Sequence, residues 1–267
     1  MAPHGLKALD YAKSIDADYI ATGHYARVVH TEGKESVMLR GVDNNKDQTY
    51  FLCQLNQNQL NNSLFPIGEL TKPEVRQIAE ELELPVAHKK DSTGICFIGE
   101  RDFREFLKNY IPAKSGKMVD IVSKKVIGEH QGIMYYTIGQ RKGLGIGGNG
   151  EPWFVVGKDY DKNILYIAQG DSNKWLLSHG ALITDVNWIS ATKPEGEYDC
   201  TAKFRYRQKD NDVSLHFIDD TTLYVTFKKP IKAVTPGQAA VFYDGDVCLG
   251  GGTIDKVYKD GKEIDYL

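Results

Sequence analysis

HGLKALDYAKSIDADYIATGHY, residues 4–25, decides the reading of the fold. Its first half has helical spacing, with Leu6, Leu9 and Ile15 near one face. ADYIAT then reads as a short buried strand, followed at once by the turn carrying Gly23 and His24. A helix that feeds such a strand is half of an α/β unit. In open α/β sheets, the loop at the carboxyl end of a strand is where nucleotides bind. His24 has no second histidine at metal-ligand spacing, so no bound metal is expected.

Outward from this stretch, ARVVH and SVMLR flank TEGKE as a hairpin. TKPEVRQIAEELEL is strongly helical: Thr71 and Glu74 form a capping-box pair, and Val75, Ile78, Ala79 and Leu82 keep helical spacing. ERDFREFLKNYIP is a second helix, with Phe103, Phe106, Leu107 and Tyr110 as its stripe and Pro112 as its stop. From about Ala113 short alternating runs replace the helices. GKMVDI, VIGEH, GIMYYTIG, PWFVVGKD, ILYIAQ, CTAKFRYRQ, VSLHFID, TLYVTFK and AAVFYDGDVCLGGG read as strands separated by glycine turns. Regularly spaced short strands imply a small barrel. The expected division is an α/β part over 1–110, a central β-rich part over 111–173 and a β-barrel over 174–267.

The 267 residues are 41% hydrophobic and 26% charged, ordinary for a globular chain with a sizeable core. A net charge of −3 excludes a general polyanion binder, so any nucleic-acid surface must be a local basic patch. No apolar run approaches the roughly 18 residues of a membrane span, and the amino terminus lacks an apolar signal core. The four cysteines, Cys53, Cys96, Cys200 and Cys248, form no CxxC pair. That spacing argues against a zinc site or a disulfide framework and permits thiol chemistry.

Four stretches can carry chemistry. In KKDSTGICFIGERDF, Cys96 sits in a loop of small residues with Lys89, Lys90, Arg101 and Arg104 around it. Positive charge stabilises a thiolate, so Cys96 reads either as a reactive thiol or as a small core residue beside Ile95 and Phe97. In GVDNNKDQTYFLCQL, Lys46, Asp47 and Gln48 stand at a helix start. They are either a solvated first turn or a triplet contacting a phosphate or base, while Cys53 in the apolar run reads as core. TIGQRKGLGIGG is a glycine-rich basic loop without the Walker A spacing. Its Arg141 and Lys142 could grip a nucleic-acid backbone or simply be solvated. On a strand, CTAKFRYRQ would place Cys200, Ala202, Phe204 and Tyr206 on one face and Thr201, Lys203, Arg205 and Arg207 on the other. That is a buried face backed by a basic stripe.

Together these stretches resemble the tRNA-specific 2-thiouridylase family, through ATGHYARV, LRGVDNNKDQTYFL, FPIGELTKPEVR, KKDSTGICFIGERDFREFL, GEHQGIMYYTIGQRKGLGIGG, PWFVVGKD and TPGQAAVFYDGDVCLGGG, in family order. The likeness runs from about Leu6 to the end. It implies a PP-loop, Rossmann-type nucleotide-binding domain of the adenine nucleotide alpha hydrolase-like class, a small β-rich domain and a carboxyl-terminal β-barrel. It implies a sulfurtransferase that adenylates the 2-oxygen of the wobble uridine of tRNA with ATP and Mg2+, then delivers sulfur from a cysteine persulfide. Cys96 matches the persulfide cysteine and Gly23 an ATP-contacting glycine. His24, the triplet Lys46, Asp47 and Gln48, the pair Arg205 and Tyr206, and Gln238 match tRNA contacts. A desulfurase or sulfur-relay protein is the implied sulfur donor. The implied setting is a bacterial-type cytoplasm, with a mitochondrial counterpart as the other case.

The family's Ser-Gly-Gly-x-Asp-Ser loop, which holds the ATP phosphates, does not occur in this sequence, nor do its other catalytic cysteine and the nearby Asp. The chain is therefore expected to correspond to the carboxyl-terminal two-thirds or more of such an enzyme. Alone it would bind ATP weakly and not transfer sulfur. The alternative reading is a tRNA-binding piece without chemistry.

Overall fold

The computed structural model describes residues 3–89, 114–191 and 193–267, with side chains from Leu9 onward. Cys96 and the helix expected over 100–112 lie outside the described residues.

The described chain divides into two compact units. One holds residues up to His88, Gly180–Lys229 and Pro236–Lys256; the other holds residues from 114 to His179, Pro230–Thr235 and Val257–Leu267. The first unit thus joins the α/β segment to most of the barrel segment.

In the first unit, helix α1 (Pro3–Ser14) buries Leu9 and Ala12. It leads into strand β1 (Ile20–Ala21), which pairs in parallel with β4 (Ser63–Leu64). The strand expected from ADYIAT is thus only two residues long and is not buried, Ile20 being half-buried and Tyr19 and Ala21 exposed, because its one partner strand among the described residues is as short. Between them, β2 (Ala26–Val29) and β3 (Val37–Arg40) form the hairpin expected around TEGKE, with Ala26 opposite Arg40 and Val29 opposite Val37. Two short helices follow, α2 (Thr49–Leu52) and α3 (Gln57–Asn61), the second closed by an Asn56–Gln59 capping box. Helix α4 (Lys72–Glu81) begins at the Thr71–Glu74 capping box read from the sequence. Its apolar stripe, however, is not buried: Ile78 and Leu82 are exposed.

The second unit carries β5 (Gly116–Asp120), β6 (Val126–His130), β7 (Trp153–Asp159) and β8 (Ile164–Gln169) as one sheet in the order β6-β5-β8-β7. Strands β5 and β8 are parallel and the other pairs antiparallel. Met118, Val155, Leu165 and Ile167, all fully buried, form the centre of its core. The chain end closes on this unit: the Lys158 amide donates to the Tyr266 carbonyl at 2.7 Å, and the Tyr266 ring meets Trp175 edge-on. GIMYYTIG is not a strand here. Ile133–Tyr135 make a 3-10 turn after Gly132, whose φ is 138°. Ile133, Tyr136 and Ile138 still turn inward, with the three-residue spacing of Ile133 and Tyr136 following the 3-10 turn.

The remaining strands are β9 (Leu177–Trp188), β10 (Glu197–Lys203), β11 (Asn211–Phe217), β12 (Leu223–Lys232), β13 (Ala239–Asp244), β14 (Val247–Lys259) and β15 (Lys262–Glu263). They follow the order β13-β10-β11-β12-β9-β14, and β13 also pairs with β14. That extra pairing closes a six-stranded barrel and removes its free edges. The β2–β3 hairpin extends the same sheet, with Leu39 opposite Val247. Gly250 explains one close approach. Its φ is 138°, and a Cβ there would sit 2.0 Å from the Asn187 carbonyl oxygen, so only glycine fits.

The strand reading of CTAKFRYRQ needs correction at its end. Strand β10 stops at Lys203. The Phe204 amide donates to the Gln208 side chain at 2.8 Å, the Gln208 amide donates to the Arg205 carbonyl at 3.1 Å, and Arg207 is left-handed with φ 65°. A turn bonded to itself leaves no amides for a ladder, so the two-faced alternation ends at Phe204.

Candidate nucleic-acid interface

The loop Lys46–Gln48 is built by Asp47, not offered by it. Asp47 is only 5% exposed. Its carboxylate accepts from the Gly41 amide at 3.2 Å, the Thr49 amide at 3.3 Å and the Thr49 hydroxyl at 2.9 Å, with the Lys203 ammonium 3.7 Å away. A buried carboxylate needs such partners, because an unpaired one would be far too costly. Gln48 is tied on the other side: its side-chain oxygen accepts from the Tyr25 amide at 2.9 Å, and its own amide donates to the Tyr25 carbonyl at 2.9 Å.

Lys203 accordingly does not belong to an exposed basic stripe. Its side chain turns inward toward Asp47 and the Tyr243 ring. Arg205 is half-buried, and burial holds its guanidinium below its ordinary pKa. Of the three bases, only Arg207 is exposed, stacked 5.4 Å over the Tyr206 ring.

Tyr206 packs against α2. Its ring centroid lies 4.5 Å from Phe51 and 6.3 Å from Tyr50. The Tyr50 hydroxyl donates to the Ala239 carbonyl at 2.9 Å, next in sequence to Gln238. Burial first, and then the nearby Cys53, push the Tyr50 hydroxyl up to about 12, while Arg205 opposes this. The barrel also pins the segment that follows α2: Asn187 donates to the carbonyls of Cys53 and Leu55 at 3.0 Å each, and Gln54 donates to the Gly251 carbonyl at 3.0 Å. The structure therefore gathers Lys46, Asp47, Gln48, Arg205, Tyr206 and Gln238 around α2 within one unit.

Gly23 and His24 lie in the loop after β1, just before Tyr25, whose amide and carbonyl hold Gln48, and His24 shares a cavity with Leu52 of α2. Gly23 is exposed, and a Cβ there would meet nothing within 4 Å. His24 accepts or donates through Nδ1 to the Thr22 hydroxyl at 2.9 Å and packs edge-on against Phe65. Burial holds its pKa below the ordinary value. It borders an apolar cavity of about 170 Å³ lined with Leu9, Ile20, Leu55 and Phe65. Arg141 and Lys142 are exposed in the other unit, beside the glycine loop. Cys53 and Cys248 are buried and Cys200 half-buried. Burial pushes Cys53 and Cys200 up to about 12 and Cys248 well upward.

Three supporting residues escaped the sequence reading: Arg40, Thr49 and Tyr243. The Tyr243 hydroxyl lies 3.2 Å from that of Thr49, and Arg40 reaches Asp210 at 3.0 Å. Nothing local marks them, since each sits in an ordinary strand or helix pattern.

Family profiles match along most of the chain. The one described as tRNA methyl transferase HUP domain covers residues 6–100, tRNA methyl transferase PRC-barrel domain covers 104–169, and Aminomethyltransferase beta-barrel domain covers 178–254. Proteins named tRNA-specific 2-thiouridylase MnmA from Bacillus cytotoxicus and Bacillus cereus are 59% and 58% identical to it over 259 residues. Those alignments take in 97% of this chain and 69% of each relative. The HUP and barrel descriptions agree with the parallel β1–β4 pair and the closed six-stranded ring. On this identity and coverage, the chain belongs to the tRNA-specific 2-thiouridylase family.

Proposed function

We propose that this chain takes part in 2-thiolation of the wobble uridine of tRNA. The observation that carries the reading is the convergence of Lys46, Gln48, Arg205, Tyr206 and Gln238 around one short, braced helix, in a member of this family. These positions come from three sequence segments, around residues 46–48, 205–206 and 238, and supply two cations, two amides and an aromatic ring. That mixture suits an unpaired stretch of RNA.

In this reading Asp47 sets the loop, while Lys46 and Gln48 stand beside the target region. Gly23 leaves room for a nucleotide to approach the end of β1, and His24 borders the adjoining cavity. ATP, as substrate, transfers its adenylyl group to the uridine 2-oxygen as its α–β phosphoanhydride bond breaks and pyrophosphate departs, which turns that oxygen into a leaving group. The terminal sulfur of a Cys96 persulfide then bonds to carbon 2 as the bond to the adenylylated oxygen breaks and AMP departs. A sulfur-donor protein loads Cys96. The sulfur–sulfur bond that remains must be cut by a second thiol, which the family resemblance places upstream of Leu6. Arg141 and Lys142 add backbone contacts.

The test is sulfur transfer from a loaded desulfurase to tRNA transcript with ATP, using this chain and a form extended at its amino terminus with the family's Ser-Gly-Gly-x-Asp-Ser segment. We expect 2-thiouridine only with the extended form, and none after Cys96→Ser. Thiolation that survives Cys96→Ser would overturn the assignment. The second reading, an RNA-binding piece, is carried by the same convergence and predicts tRNA binding by both forms.

A further inference from the structure

We infer that Phe51, backed by Tyr206, is a stacking platform for one unpaired nucleobase of the RNA; this rests on the tRNA-binding reading above. Helix α2 turns its two neighbouring rings in opposite directions. Tyr50 is 8% exposed and held by the Ala239 carbonyl, whereas Phe51 is 47% exposed. A large apolar ring on the surface loses the stabilisation that burial would give, about 2 kcal/mol for a phenylalanine. Single exposed apolar residues are common, so exposure alone assigns nothing.

The surroundings assign it. Phe51 meets Tyr206 at 4.5 Å and a 45° tilt, and Tyr50 at 5.6 Å and 89°. The second contact is edge-to-face, which locks the ring orientation. Asn187 and Gln54 fix the segment Cys53–Leu55 that directly follows the helix. The platform is thus preorganised, and little ordering entropy is lost when a flat ligand lands on it.

Its neighbours are polar and cationic: the exposed Arg207 lies over the Tyr206 ring, and the loop with the half-buried Lys46 and Gln48 leads directly into α2. One ring among cationic neighbours does not fit a protein interface, whose centre is a broader apolar area depleted of charge. It fits a π-system attached to an anionic backbone. Stacking on Phe51 would hold the base, and Arg207 would meet the adjoining phosphate. Because every base has a π-face, the platform would grip the strand whatever base it holds.

The experiment is titration of this chain with an anticodon stem–loop carrying 2-aminopurine at each loop position in turn, across a salt series. We expect quenching at one loop position. Phe51→Ala should weaken binding about tenfold, abolish that quenching and leave the salt slope unchanged. Arg207→Ala should lower the slope by about one unit and keep the quenching. Phe51→Trp should restore both affinity and quenching. Phe51→Leu, which keeps an apolar side chain at the same site, should behave like Phe51→Ala and covers the case in which the alanine variant fails to fold. Unchanged affinity and quenching in Phe51→Leu, with the parent chain binding normally, would overturn this proposal alone. Failure of the parent chain to bind tRNA at low salt would overturn the tRNA-binding reading and this proposal with it.

Discussion

The Arg40 guanidinium lies 3.7 Å over the ring of Tyr243, and the hydroxyl of that tyrosine meets the Thr49 hydroxyl at 3.2 Å. Strand β3, strand β13 and the start of α2 are thereby joined through one aromatic side chain. Asp47 completes the set by accepting from Thr49 on the other side.

This network predicts unequal costs. Tyr243→Phe keeps the ring under Arg40 and loses one hydroxyl contact, so it should cost about 1 kcal/mol. Asp47→Ala leaves two amides, a hydroxyl and the Lys203 ammonium without their buried acceptor and should cost about 3 kcal/mol. Urea unfolding compares the two at a common m value. Equal costs would mean that Asp47 is not the organising group.

The tRNA-binding reading predicts a steep loss of affinity as salt rises, because phosphate contacts release counterions. Arg205→Ala should weaken binding and flatten the salt slope by up to about one unit. Replacing Gln48 should change affinity less and discrimination between cognate and non-cognate tRNAs more. Filter binding across a salt series reads both, and a salt-independent isotherm would count against the RNA surface.

The thiols should separate in a brief iodoacetamide pulse near neutral pH. Burial pushes Cys53, Cys200 and Cys248 above the ordinary thiol value of 9.0, which leaves almost no thiolate to attack. Cys96, among its lysines and arginines in the sequence, should label first. Peptide mass mapping decides the order, and preferential labelling of Cys200 would refute it.

The same burial makes the fold sensitive to alkali. The folded pKa values of Cys53 and Cys200 lie at about 12, against 9.0 for an exposed thiol. Below pH 9 both states keep these protons, so the stability they contribute is fully present. Between pH 9 and 12 only the unfolded chain releases them, so stability falls, by up to about 1.4 kcal/mol per pH unit for each proton. Cys200→Ala should make the decline in melting temperature from pH 8.5 to 10.5 shallower. An unchanged decline would show that this thiol does not contribute.

Local pattern was enough for much of this protein. Period-two alternation located β10 to β14, the Thr71–Glu74 pair located the start of α4, and the run from Ala17 to His24 located a strand and glycine turn, though not the burial expected of that strand. These signals are legible because backbone geometry repeats over a few residues. The motifs also carried the family resemblance.

Other features depended on partners far along the chain. Alternation shows that a strand has an inner face, but not which strand lies beside it. Closure of the ring through β13 and β14, and addition of the β2–β3 hairpin beside Val247, were therefore not legible. The direction of Asp47 was hidden for the same reason: its ammonium partner Lys203 is contributed by β10. The basic stripe inferred from CTAKFRYRQ broke because Gln208 captures the Phe204 amide and Asp47 draws Lys203 inward. Sequence determined the elements and the chemical types on offer. Tertiary structure decided which side chains face water and which are spent on holding the loop, because burial and ion pairing depend on neighbours that only the folded chain brings within a few ångströms.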